Sequence, residues 1–324
     1  MLHIGYKLST EEHAPNDLVH NARRAEEAGF SFAMISDHFH PWTDSQGHSP
    51  FVWSVIGAIA HATTRLQLGT SVTCPTTRIH PAIIAQAAAT SAAMMPGRFF
   101  LGVGTGENLN EHIVAQGWPE TEIRQERLEE AIQVIRLLWQ GGNRSHHGRH
   151  YTVENARLYT LPDPLPPIYV AAGGRKSAEL AARAGDGLIG TDSDAELMKH
   201  FDAAGGKGKP RYGEVSVCWA KDDKSARRTA HERWPTAAMD SSLAWELPLP
   251  AHFEAVAQLV TEDQVAEAIT CGPDADAHVQ AIREYADAGY DHVCVCQAGP
   301  DQEGFLRFYE REVLPKLSKL KVAA

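Results

Sequence analysis

The chain has 324 residues, 43% of them hydrophobic and 22% charged, which is the composition of a globular protein able to bury a substantial core. Its 30 basic residues stand against 41 acidic ones, a formal net charge of −11, and no basic run is longer than a few residues. That balance speaks against nucleic acid or an anionic membrane as partner.

The N-terminal residues 1–6 enter a strand-like run directly, without the charged and apolar regions of a secretory leader. Strands are predicted at 2–6, 32–35, 66–72, 99–103, 168–172, 187–190, 215–220 and 292–295, separated by helical segments. Three junctions share one form, an Ala-rich helix ending in Ala-Gly before an apolar strand: Ala28-Gly29, Ala184-Gly185 and Ala288-Gly289. Glycine past a helix end can take the left-handed conformation that closes the last turn. The strands are apolar on both faces, as parallel strands covered by helices must be. Pro15 and Pro81 suit first helical turns, and Leu128, Ile132, Ile135 and Trp139 recur at helical spacing. Eight such units in this length predict one α/β domain over 1–324, a (β/α)8 TIM barrel, in preference to an open doubly wound sheet.

Two stretches break the alternation. Residues 143–164 carry Tyr151-Thr152-Val153 and Arg157-Leu158-Tyr159, read as a hairpin or extended excursion; 234–261, with Pro235, Pro248 and Pro250, is a long late insertion. Both are expected at or near the barrel mouth, where such loops carry specificity or act as lids. The five cysteines are scattered and odd in number, which predicts reduced thiols in a cytoplasmic protein.

The site of a barrel lies where strands end, so the residues after each strand carry the chemistry. Those after the second strand are Ser36-Asp37-His38-Phe39-His40-Pro41-Trp42, and the third strand runs into Ser71-Val72-Thr73-Cys74. The fourth leads to Gly102-Val103-Gly104-Thr105-Gly106-Glu107-Asn108-Leu109-Asn110, and the fifth to Ala171-Ala172-Gly173-Gly174-Arg175-Lys176. His38 could exchange a proton with an alcohol, or simply cap a helix or face water. Alternation sends Asp37 and His38 to different sides, so Asp37 need not orient the imidazole. Glu107 stands beside Gly104 and Gly106, glycines that could admit a flat ligand; it reads equally as a buried general acid or as a first-turn glutamate. Gly173-Gly174 could receive a phosphate or form an ordinary turn. His146, His147 and His150 lack a diagnostic metal spacing and read as a solvated hairpin tip, so no metal is expected. Cys294 and Cys296 share a strand face and read as core thiols.

These segments, with Gly5-Tyr6-Lys7, Gly69-Thr70-Ser71-Val72 and 81–86, resemble the deazaflavin-dependent branch of the luciferase-like barrels, including F420-dependent glucose-6-phosphate and alcohol dehydrogenases. The resemblance spans nearly the whole chain and is strongest over 1–190. It implies coenzyme F420 as cofactor, with Asp37, Ser71, Val72, Cys74, Gly106, Asn110, Ala171, Ala172, Gly173 and Gly174 around it. It further implies a non-prolyl cis peptide at Ser71-Val72 and a tail phosphate at Gly173-Gly174. His38 becomes the base toward an alcohol, Glu107 the acid toward the ring, and Trp42 a catalytic pocket residue. Glu11, Trp42 and Trp245 become substrate-binding, and a homodimer is expected. Where sugar-phosphate members carry cations, this chain reads Thr191-Asp192-Ser193-Asp194, Trp245-Glu246-Leu247-Pro248 and Ala266-Glu267-Ala268. A substrate phosphate is then held elsewhere, by Lys199 or Arg78, or there is none, and an alcohol or sugar is the expected partner. A sugar-6-phosphate dehydrogenase with a relocated phosphate site, a flavin mononucleotide monooxygenase and a non-catalytic carrier are the competing readings.

Overall fold

A computed structural model describes residues 2–318. Eight parallel strands close on themselves: β1 (His3–Leu8), β2 (Phe32–Ile35), β3 (Gln67–Thr70), β4 (Phe99–Val103), β5 (Ile168–Ala171), β6 (Gly187–Gly190), β7 (Arg211–Cys218) and β8 (His292–Gln297). They pair in chain order, and β8 lies beside β1 with Tyr6 opposite Val295. The fold is a (β/α)8 barrel. All eight expected strands are present, but β7 starts four residues before the predicted 215, because its first four residues include the charged Arg211 and Glu214.

Strand alternation divides the core. Phe32 and Met34 of β2 point into the bore with Phe100, Tyr169, Ile189, Tyr212 and Cys294, whereas Ala33 and Ile35 face the helices. Stacked rings fill the bore: Tyr169 and Tyr212 lie 4.9 Å apart, and Phe32 meets Tyr212 edge-on at 5.1 Å. The bore is thus packed, and polar chemistry is confined to its ends. Outside, helices Pro15–Ala28, Val52–Ala62, Pro81–Met94 and Thr121–Trp139 lay apolar stripes on the strands. Leu128, Ile132, Ile135 and Trp139 form the buried stripe of the last of these, and Pro15 and Pro81 open their helices.

Two of the three Ala-Gly junctions close as expected, with Gly29 at φ 98° and Gly289 at φ 108°. Gly185 does not: it is at φ −93°, and a Cβ there would meet the Ala181 carbonyl at 2.8 Å and Val170 at 2.9 Å. Its glycine answers to close packing, not to a left-handed turn. The excursion before β5 is a hairpin, but it pairs Arg144–His147 with Thr152–Ala156, and 157–159 form no strand. Its histidines are not a solvated tip: His146 and His150 pack against Glu130 and Glu126 of the neighbouring helix, and only His147 is well exposed. All five cysteines are free thiols, Cys294 and Cys296 fully enclosed. Among the described residues, no helix is long and apolar enough to cross a membrane.

Candidate active site

The loops after β2, β3 and β4 are bound together by a buried cation. Arg78 donates to Asp37 Oδ1 (2.9 Å) and lies 3.5 Å from Glu111 through Nε, while its backbone N–H donates to Glu111 at 2.7 Å. Thr73 Oγ1 donates to the other Asp37 oxygen at 2.8 Å. Burial pushes the Glu111 carboxyl up, against the opposing pull of Arg78. Asp37 is therefore a structural anchor of the mouth, filled by protein partners, and Arg78 is already spent on two carboxylates. Lys199, the other cation considered for a phosphate, is exposed and paired with Glu196.

Asn110 forms the next tie. Its Oδ1 accepts from the backbone N–H of Phe39 (2.8 Å) and of His40 (3.2 Å), and its Nδ2 donates to Glu107 Oε2 (2.8 Å). Glu107 precedes the short helix Asn108–Glu111, yet its side chain does not cap it. Instead Glu107 Oε2 lies 3.4 Å from His38 Nε2, and Glu11 Oε1 lies 3.3 Å from the same nitrogen. The imidazole is nearly buried and meets Trp42 edge-on, ring centres 5.1 Å apart. As alternation implied, His38 turns to Glu11 and Glu107 while Asp37 turns to Arg78.

The partner of His38 Nδ1 is the His40 carbonyl, at 3.2 Å. A carbonyl only accepts, so Nδ1 carries a proton, while Nε2 faces the Glu11 and Glu107 carboxyl oxygens. Glu11 is held by Ser36 Oγ at 2.6 Å. Burial works to raise its carboxyl, but His38, Lys7 and the Ser36 hydroxyl outweigh it and hold Glu11 below the usual carboxylate range.

Beneath this centre lies a pair that sequence reasoning missed. Lys7 on β1 crosses the bore to Glu214 on β7 (2.7 Å) and donates to the Ser71 carbonyl (3.1 Å). Ser71 Oγ donates to the same Glu214 oxygen at 3.2 Å. A lysine and a glutamate inside otherwise apolar strands were the available signal. The Ser71-Val72 peptide is cis, as the resemblance implied. The glycines of the fourth loop serve the protein more directly than expected. A Cβ at Gly104 would strike Val72 at 2.6 Å, and one at Gly106 (φ 81°) would strike the Cys74 thiol at 2.6 Å.

On the other side of the mouth, the Gly173 and Gly174 N–H groups reach Ser177 Oγ at 3.2 and 3.1 Å, at the start of helix Arg175–Ala184. Ala172 donates its N–H to the Ile189 carbonyl, and Ala171 is half-buried. The late segment folds over the mouth. Phe253 meets Trp42 edge-on at 5.2 Å, Trp234 Nε1 donates to Glu12 at 2.7 Å, and Asn108 Nδ2 donates to the Glu246 carbonyl at 2.9 Å. Trp245 stands near Gly173 with its side chain substantially open. Burial pushes the Glu12 carboxyl up to about 7, opposed by the Trp234 bond.

The luciferase-like monooxygenase family model matches residues 1–292. The chain is 38% identical to an F420-dependent glucose-6-phosphate dehydrogenase of Mycolicibacterium gilvum (strain PYR-GCK), over 98% of this chain and 99% of that one. It is also 38% identical to an F420-dependent glucose-6-phosphate dehydrogenase 2 of Rhodococcus jostii (strain RHA1), covering 98% of each. Among solved structures it resembles an F420-dependent secondary alcohol dehydrogenase in complex with an F420-acetone adduct, at TM-score 0.90, 30% identity, and coverage of 97% and 98%. A barrel whose strand ends gather these groups, matched over nearly its whole length, belongs to the luciferase-like family.

Proposed function

We propose that this protein is a coenzyme F420-dependent dehydrogenase acting on the CH–OH group of an alcohol or sugar. The observation that carries the reading is the His38 centre, an imidazole whose Nε2 lies 3.3 and 3.4 Å from the carboxyl oxygens of Glu11 and Glu107. The mouth suits a planar ring with a phosphate tail. Val72 and Gly104 pack into a close-fitting wall, and apart from its chain neighbours and its own helix nothing lies within 4 Å of the Cβ position at Gly174, which leaves room at the helix N-terminus. Ser71, Val72, Cys74, Gly106, Ala171, Ala172, Gly173 and Gly174 would hold the cofactor, with Asp37 and Asn110 acting through the loops they tie.

Bound there, oxidised F420 would supply C5 of its deazaflavin as acceptor for the hydride of the substrate's carbinol carbon. His38 takes the hydroxyl proton at Nε2, and the Glu11 carboxylate stabilises the imidazolium that forms. Glu107, oriented by Asn110, holds a proton for the ring side. Trp42 and Phe253 exclude water and orient the substrate, and Glu11 lines the same pocket.

The substrate class follows from charge. Lys7, Arg78 and Arg124 are each paired with a carboxylate: Glu214, Asp37 with Glu111, and Glu246. In 191–194, the Thr191 and Asp192 carbonyls accept from Tyr285 and Tyr290, and Asp194 caps a helix. A substrate phosphate would find carboxylates where it needs a bidentate cation. An uncharged alcohol or sugar is therefore the preferred substrate, and Trp245 with Trp42 its apolar contact. The sugar-phosphate reading is favoured by the names of the curated relatives. A steady-state comparison of glucose, glucose 6-phosphate and short secondary alcohols decides between them: a phosphate ester preferred by tenfold or more in kcat/KM overturns the uncharged substrate.

The five free thiols suit the cytoplasm. A homodimer is part of the same reading, through the exposed Phe51, Ile83 and Met94 on and beside helices Val52–Ala62 and Pro81–Met94. Sedimentation at monomer mass would remove it.

A further inference from the structure

Residues 43–46 form a turn directly after Trp42, closed by the Gln46 N–H on the Thr43 carbonyl at 3.1 Å. Gln46 is buried although it sits on a loop, which is costly for an amide side chain unless its polar atoms are filled. They are filled, and from two different parts of the chain. Its Oε1 accepts from the backbone N–H of Trp42 at 2.9 Å and of Thr43 at 3.4 Å, while its Nε2 reaches the Arg233 carbonyl at 3.5 Å. Two N–H groups facing the oxygen and a carbonyl facing the nitrogen fix which way this amide points.

The turn is also gripped from outside. Arg233 Nη1 donates to the Ser45 carbonyl at 3.1 Å, and the Asp44 N–H donates to Glu254 Oε1 at 3.1 Å. These contacts come from where the late segment leaves the helix Asp223–Arg233 and from where it returns beside Phe253. Further along, the His48 N–H donates to the Glu11 carbonyl at 3.0 Å. One short loop thus starts at the indole that meets His38 and Phe253 edge-on, at 5.1 and 5.2 Å, and ends on the residue whose carboxylate faces the same imidazole. Gln46 is the side chain in it that holds the main chain of that indole.

We propose that Gln46 is a positioning residue for the His38 centre: it fixes the Trp42 main chain and so sets the indole against the imidazole and Phe253. An indole held this way keeps one wall of the substrate pocket in place while the carbinol carbon lines up for hydride transfer, a geometry in which small displacements are costly. Gln46 acts through Trp42. The inference rests on the reading of His38 and Trp42 as the hydroxyl-substrate site.

The test is 19F NMR of protein labelled with 5-fluorotryptophan, with the Trp42 resonance assigned by its loss in Trp42→Phe, alongside steady-state kinetics with F420 and secondary alcohols or neutral sugars. Gln46→Met keeps the length of the side chain and removes its hydrogen bonds. It should shift or broaden the Trp42 resonance in the cofactor-free protein and lower kcat/KM by about tenfold or more. In the Trp42→Ala background the same substitution should cost nothing further, because a residue that acts through another is not additive with it. A Trp42 resonance or a kcat/KM unmoved by Gln46→Met overturns the proposal. So does an equal loss in the Trp42→Ala background, which a purely structural role would give. If Gln46→Met does not fold, Gln46→Asn keeps the amide but draws it back from Trp42, and the same outcomes decide. Turnover absent for every hydroxyl substrate, with Trp42 moving as stated, removes His38 as base and keeps Gln46 as the anchor of Trp42. Turnover present with Trp42 unmoved does the reverse.

Discussion

The two halves of the barrel mouth are built differently. The loops after β2 to β4 are joined by buried charges and hydrogen bonds, Arg78 between Asp37 and Glu111 and Asn110 between the His38 loop and Glu107, with Lys7 of β1 beneath them tying Ser71 to Glu214 of β7. The loops after β5 and β6 offer backbone groups and exposed side chains, and the late segment reaches over them from outside. Preorganised groups cost nothing to reorient during reaction, so the first half is where proton chemistry belongs. The second half can change its side chains without disturbing the first, and that is where substrate choice can vary within one family.

The comparison breaks hardest at Arg78. Arg78→Met leaves Asp37 and Glu111 buried without their cation, and should cost about 3–5 kcal/mol of stability by denaturant unfolding. A loss under 1 kcal/mol would mean the first half is not held by charge. Next in size is the chemistry: His38→Ala should lower kcat by about a hundredfold or more with stability nearly unchanged. Glu107→Gln should bind F420 in a fluorescence titration yet lose most of its turnover.

A smaller effect separates the lid from the centre. Glu12 has its carboxyl raised to about 7 by burial, against about 4.5 when unfolded. A raised acid stabilises the fold below its unfolded value and loses that contribution as pH climbs through its folded value. Thermal stability should therefore fall between pH 4.5 and 7 in the wild type, by on the order of 1 kcal/mol given partial exposure. Glu12→Gln should flatten that window; an unchanged slope would remove Glu12 from it. Smallest is Trp245→Ala: stability should move within about 0.5 kcal/mol, while KM for the substrate rises several-fold and kcat holds.

The eight strands were legible because apolar runs between helices leave a strong one-dimensional trace. The start of β7 was lost, since Arg211 and Glu214 interrupt that trace, and so was the end of β1, which Lys7 interrupts in the same way. His38 and Glu107 were legible as candidates through their places after strands, and Asn110 and Glu11 through the family resemblance. Their partners were not, because bonding is set by three-dimensional closure. Lys7 and Glu214 lie 207 positions apart, and no spacing rule joins them. Arg78 was misjudged for the same reason: a cation on a loop looks available until the carboxylates that surround it are known. The glycines of the fourth loop looked like space for a ligand, and the structure fills that space with Val72 and Cys74.

The central claim is tested most directly by following the visible absorbance of oxidised F420 with purified protein and a panel of secondary alcohols, neutral sugars and sugar 6-phosphates. Bleaching with an uncharged hydroxyl substrate, lost in His38→Ala, is the predicted result. F420 that fails to bind, or binds and never bleaches with any of them in either direction, would contradict the account.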